Sequence, residues 1–128
     1  NRQRLQASAP DSLEVTLLGT GFGYAAERRR QQGEVVAALL GHVRDIRRIG
    51  SAALDLCNVA AGRLDGYFEW GVHLWDVAAG ALIAVEAGVD VRLPTHEGGL
   101  VTAVAPSVSG QVGELVRSLI RPQWQVPA

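Results

Sequence analysis

Short apolar strands and helix-length segments alternate along this chain, and that alternation limits its possible folds more than any other feature. Glu14-Val15-Thr16-Leu17-Leu18-Gly19 reads as a strand that leaves through a glycine-rich loop, Gly19 to Tyr24. The spacing of Val35, Val36, Leu39, Leu40 and Val43 predicts a helix over Arg28 to Val43 with one apolar side. The Arg28-Arg29-Arg30 run near its start reads as a solvated face. Asp45 to Ile49 is a short strand. It turns through Gly50-Ser51 into a helix over Ser51 to Arg63, apolar around nearly its whole circumference and so expected to be buried on more than one side. Asp65 to Trp70 is the next strand, followed by a helix from Asp76 to about Ala87. Val89 to Leu93 and Leu100 to Ala105 are further strands around the turn-rich Pro94 to Gly99, and Ser107 to Leu119 closes the series as a helix. Residues 1–11 read as an edge segment and 121–128 as a tail, so 1–128 is treated as one domain. The expected fold class is α/β, a mainly parallel sheet flanked by helices. In such sheets ligands sit beyond the carboxyl ends of the strands, where Gly50 and Trp70–Asp76 fall.

Composition narrows the function classes. A net charge of −1 gives no electrostatic case for nucleic acid or an anionic membrane surface. All 12 basic residues are Arg, which removes Schiff-base lysines, a Walker A lysine and Ser–Lys dyads. The single Cys57 cannot form an internal disulfide, so a reducing cytoplasm is the expected setting. No apolar run approaches the ~20 residues that span a bilayer. The chain begins with Asn and contains no Met, which marks it as an expected piece of a longer protein.

Glu69-Trp70-Gly71-Val72-His73-Leu74-Trp75-Asp76 places two carboxylates on either side of a turn from strand into helix. Asp76 precedes the apolar run Val77 to Val85, the place of a helix N-cap. A carboxylate there either caps the helix or, held rigidly at the mouth of the sheet, ligates a metal. Glu69 ends an apolar strand, either as a plain rim carboxylate or as an acceptor for sugar hydroxyls. Gly50-Ser51-Ala52 combines a close backbone approach with a helix N-terminus, which suits a polyol or phosphate oxygen; Ser51 alone suits a cap. His73 reads as structural or as a rim residue, His96 with Glu97 shows no ligand spacing, and Cys57 reads as a core thiol. Gly80 inside a helix points to close packing.

Gly19-Thr20-Gly21-Phe22-Gly23-Tyr24 offers a competing dinucleotide-binding reading. The fingerprint's third glycine position is held by Tyr24, however, and Asp45 comes too late to serve as its acidic partner.

Three ordered blocks carry a resemblance over about Leu5 to Leu119: Ile49-Gly50-Ser51-Ala52-Ala53-Leu54-Asp55-Leu56-Cys57, Gly62-Arg63-Leu64-Asp65-Gly66-Tyr67-Phe68-Glu69, and Trp75-Asp76-Val77-Ala78-Ala79-Gly80-Ala81-Leu82-Ile83 with Glu86-Ala87-Gly88. The chain resembles the inositol monophosphatase family. The likeness implies the carboxyl-terminal half of that family's αβαβα sandwich and magnesium-dependent hydrolysis of inositol phosphates or related sugar phosphates. It also implies that Asp76 is a metal ligand for Mg2+ and that Gly50, Ser51, Ala52 and Glu69 bind substrate. Ser51 stands where the family usually has Thr, and Val89 where a second glycine is frequent. The family's other metal carboxylates belong to an upstream D-P-x-D-G-T motif and an earlier Glu, neither of which occurs here. No catalytic residue is therefore assigned to this half, and the chain alone is expected to be inactive. Its implied partners are the missing amino-terminal half, a second copy in a homodimer and a small phosphate ester. A non-catalytic binding module that keeps the fold is the second function class.

Overall fold

A computed structural model of the 128-residue chain describes residues 3–127. Its sheet has five strands: β1 Leu17–Thr20, β2 Asp45–Arg48, β3 Gly66–Trp70, β4 Asp90–Arg92 and β5 Leu100–Val104, in the order β2-β1-β3-β5-β4. β1 runs parallel to β2 and β3, while β5 is antiparallel to both β3 and β4, so the sheet is mixed and β5 alone opposes the other strands. The reversal follows from the connection. Residues 93–99 are too few for the crossover that a parallel return requires, so β4 and β5 close as a hairpin.

Helices α1 Ala26–Leu39, α2 Ala52–Ala60, α3 Leu74–Glu86 and α4 Ser109–Leu119 flank this sheet. Alternation along β3 divides the core. Phe68 and Trp70 join Leu18, Val35, Leu39, Val112 and Val116 on the face covered by α1 and α4. Tyr67 joins Leu56, Val59, Val77, Ala84 and Val101 on the face covered by α2 and α3. β3 is thus buried on both sides, and only Glu69 near its end is partly open.

The elements match the sequence reading apart from local shifts. Residues 13–15 form a 3-10 turn before β1, because Thr16 donates its hydroxyl to Ser12 O (2.7 Å) and its N–H to Leu13 O. α1 stops at Leu39, and Leu40, expected on the core side, is exposed. The Arg28 run is not simply a solvated face: Arg28 donates to Val126 O at 2.6 Å and to Trp70 O at 3.4 Å. The expected tail is tied down by these bonds, by Trp124 stacked on Trp70 (6.4 Å) and by Gln125 accepting from Leu100 N–H (3.0 Å). The opening segment is also anchored, through Ala7 N–H to Ala87 O (3.0 Å) and Ser8 to Asp65 (2.6 Å). Cys57 is half-buried rather than a fully enclosed core thiol, because α2 turns Leu56, Val59 and Ala60 inward and Cys57 sideways. Among the described residues no helix is long and apolar enough to cross a membrane.

α2 and α3 pack closely because Gly80 carries no side chain: a Cβ there would lie 2.8 Å from Leu56 Cβ. Gly80→Ala should therefore lower stability. The gain of about 1 kcal/mol in helix propensity is outweighed by roughly 1–3 kcal/mol of overpacking, a balance that urea unfolding measures directly.

Candidate functional site

The strands β1, β2 and β3 end together, and the loops that leave them enclose a cavity of about 600 Å³. Gly50, Ser51, Ala52, Glu69 and Asp76 all line it, joined by Gly21, Phe22, Arg48, His73 and Trp75. All five residues singled out in the sequence as substrate or metal contacts therefore meet at one place.

Each is positioned by simple local rules. Gly50 leaves β2 with φ +95°, a left-handed conformation that glycine adopts without strain. Ser51 is the N-cap of α2, its hydroxyl accepting from Leu54 N–H at 3.2 Å, so the capping role proposed for it is real. The N–H groups of Ala52 and Ala53 begin this helix, where no helical carbonyl reaches them. Asp76 was expected at the N-cap but occupies the third helical position. α3 begins two residues earlier, at Leu74 after His73, and one Asp76 oxygen, Oδ2, accepts from His73 N–H at 3.0 Å. The bond holds the carboxylate at a positive helix end through Oδ2. A hard, monodentate oxygen of this kind fits a magnesium ion that keeps water and phosphate oxygens in its shell. It supplies only part of such a site: among the described residues no group of three or more His, Cys, Asp or Glu side chains could hold a metal.

Glu69 accepts a hydrogen bond from the Tyr67 hydroxyl at 2.7 Å. Burial pushes its carboxyl above the usual range, while Tyr67 and Arg48 pull it back. Burial and the adjacent Glu69 push the Tyr67 hydroxyl far above its ordinary value, so Tyr67 remains a donor. Arg48 lies over the Phe22 ring at 5.7 Å. His73 stacks on the exposed Trp75 at 4.2 Å and contacts Glu97, and His96 meets Gln125 O at 3.2 Å. These contacts place His73 at the rim and keep His96 in the 94–99 loop. A second cavity of about 400 Å³ lies behind the 71–75 turn, lined by His73, Trp75 and the 94–98 loop.

Sequence reading missed Asp55. It is 1% exposed on α2, and neither carboxyl oxygen has a hydrogen-bond partner. Burial, reinforced by Glu69 and opposed by Arg48, raises its pKa to about 7. A charge inside an otherwise apolar helix was the available signal. It also missed Tyr67, which appeared only as a strand aromatic. The loop after β1 lines the cavity through Gly21, Phe22, Gly23 and Tyr24, and Tyr24 stands where the fingerprint needs its third glycine.

A profile of the inositol monophosphatase family matches residues 1–127. The chain belongs to the inositol monophosphatase family. It is 56% identical over 112 residues to the inositol-1-monophosphatase of Mycobacterium leprae, covering 84% of this chain and 38% of that protein. The Nus factor SuhB of Pasteurella multocida is 51% identical over 89 residues, 69% of this chain and 33% of that relative. Among solved structures, Mycobacterium tuberculosis SuhB superposes with a TM-score of 0.83 at 51% identity, covering 90% of this chain and 46% of that one. The chain thus spans less than half the length of these relatives, and the part it matches is their carboxyl-terminal half.

Asp55 makes stability depend on pH. Its folded-state pKa lies above its unfolded value near 3.8, so its contribution is complete below that value and is lost as pH rises towards 7. Asp55→Asn removes this loss. Its stability relative to the parent should grow between about pH 4 and 7, then level off at roughly 2–4 kcal/mol, in denaturant melts run across that range.

Proposed function

We propose that this chain supplies the polyol-recognising half of a magnesium-dependent phosphate monoester hydrolase that acts on inositol monophosphate or a related sugar phosphate. One observation carries the reading: Gly50, Ser51, Ala52, Glu69 and Asp76 line a single cavity at the carboxyl ends of parallel strands. The name of the M. leprae relative supports the reaction class, and the relative named Nus factor SuhB aligns over a shorter stretch.

In this reading Glu69, oriented by Tyr67, accepts hydrogen bonds from ring hydroxyls. The Ala52 and Ala53 N–H groups and the Ser51 hydroxyl bind the polyol or phosphate oxygens at the start of α2. Asp76 is one magnesium ligand, and its bond from His73 N–H fixes the orientation of its carboxylate. Bound magnesium would polarise the phosphate and generate the water nucleophile. The remaining ligands come from an upstream half of the protein, so this chain alone is inactive. An exposed apolar face supports that partner: Leu74, Trp75, Leu82 and Val85 of α3, with Leu54 of α2, lie bare on the outer side of the layer. We place the upstream half there. A reducing cytoplasm and a homodimer complete the proposal, the former resting on the lone Cys57.

In the full-length protein, Asp76→Asn should leave thermal unfolding within a few degrees of the parent while cutting magnesium-dependent phosphate release by about 100-fold or more. Parent-like turnover in that variant removes Asp76 from the metal site. Glu69→Gln should raise KM for inositol 1-phosphate by roughly 5- to 100-fold, with the magnesium requirement unchanged. Absence of phosphate release from the intact parent protein with any polyol phosphate would favour the non-catalytic module.

A further inference from the structure

The Gly19-x-Gly21 pair that imitates a nucleotide fingerprint has another use. Gly19 lies in β1 and Gly21 follows Thr20, the last residue of that strand; Gly19 faces Asp55 of α2, and Gly21 faces Glu69 and lines the cavity. A Cβ on Gly19 would lie 2.7 Å from Asp55 Oδ1, and a Cβ on Gly21 would meet the Glu69 carboxyl even more closely. Each carboxyl fills the space of a missing side chain at one of these neighbouring glycines, and the Glu69 charge reaches Asp55. Tyr67 pairs in register with Gly19 and points its hydroxyl at Glu69, leaving Asp55 with no donor.

The surrounding charges are few. β3 contributes Glu69 and Tyr67, and the end of β2 contributes Arg48, which lies over Phe22. Asp76 at the start of α3 acts on Glu69 and Tyr67, and β5 brings no titratable side chain. Two interacting carboxylates, one of them fully buried, do not both ionise easily. The one with a hydrogen-bond donor keeps the charge.

We propose that Asp55 is a positioning residue acting through Glu69: it carries the proton of this carboxyl pair, and its ionisation sets how much negative charge lies beneath the cavity. With Asp55 neutral, Glu69 is the lone charge under the cavity floor and meets the hydroxyls of the polyol. With Asp55 ionised, a second charge opposes the phosphate dianion and binding weakens. The effect on binding rests on the reading of Glu69 as the polyol acceptor; the carboxyl pairing itself does not.

The experiment has two arms on the full-length protein. The first follows the side-chain carboxyl carbon of Asp55 by NMR, in the parent and in Glu69→Gln. The parent midpoint should be near 7, and loss of the Glu69 charge should lower it by about one pH unit. A midpoint near 4, or the same midpoint in both proteins, overturns the pairing. The second compares KM for inositol 1-phosphate at saturating magnesium in the parent and Asp55→Asn, from about pH 6 to about pH 9. The parent KM should rise about threefold more than that of the variant, with kcat profiles that coincide. Coincident KM profiles overturn the role of Asp55 in binding. If the parent turns over no inositol 1-phosphate, the functional reading of Glu69 fails, and the NMR arm still decides the pairing.

Discussion

The approach of α2 and β3 to β1 is set where β1 and the loop that leaves it have no side chains. At Gly19 and Gly21 the space of two β-carbons is taken by carboxyl groups, Asp55 from α2 and Glu69 from β3. A larger residue at either place would push the helix or the strand end away and open the floor of the cavity. Burial of β3 on both faces supplies the complementary constraint. Phe68 and Trp70 hold it from one side and Tyr67 from the other, so Glu69 arrives at the cavity on a strand with little freedom to move.

Electrostatics follow from that packing. The cavity gathers more acid than base: Glu69, Asp76 and the hidden Asp55 surround a single guanidinium, Arg48. Such a floor repels a phosphate ester unless something offsets it. The start of α2 offers N–H groups, a proton on Asp55 would remove one charge, and a divalent cation on Asp76 would supply the rest. The arrangement therefore has the character of one wall of a metal site. In the proposed function the upstream half would supply the other wall and cover the exposed apolar residues of α2 and α3.

Much of this was legible in the sequence because it depends on local rules. Alternating strands and helices, a Ser N-cap and the ordered blocks from Ile49 to Gly88 led to the right layers and to five of the residues that line the cavity. Details that depend on contacts distant in sequence were not legible. β5 reverses because a short loop closes β4 onto it, and the tail is held by Arg28 and Trp70 from elements far upstream. Asp76 sits inside the first turn because His73 takes the capping position, which an apolar-run boundary cannot show. Asp55 looked like one of two polar residues, with Asn58, in a mostly apolar helix, and its meaning depends on glycines in and just after β1.

In the proposed function a polyol phosphate and a metal share the cavity between Glu69 and Asp76. The most direct measurement is a crystal structure of the full-length protein with inositol 1-phosphate and manganese as an anomalous stand-in for magnesium. The account predicts an anomalous peak about 2 Å from an Asp76 oxygen and a ring hydroxyl about 3 Å from Glu69. A ligand seated instead in the second cavity behind the 71–75 turn, with no metal on Asp76, would contradict it.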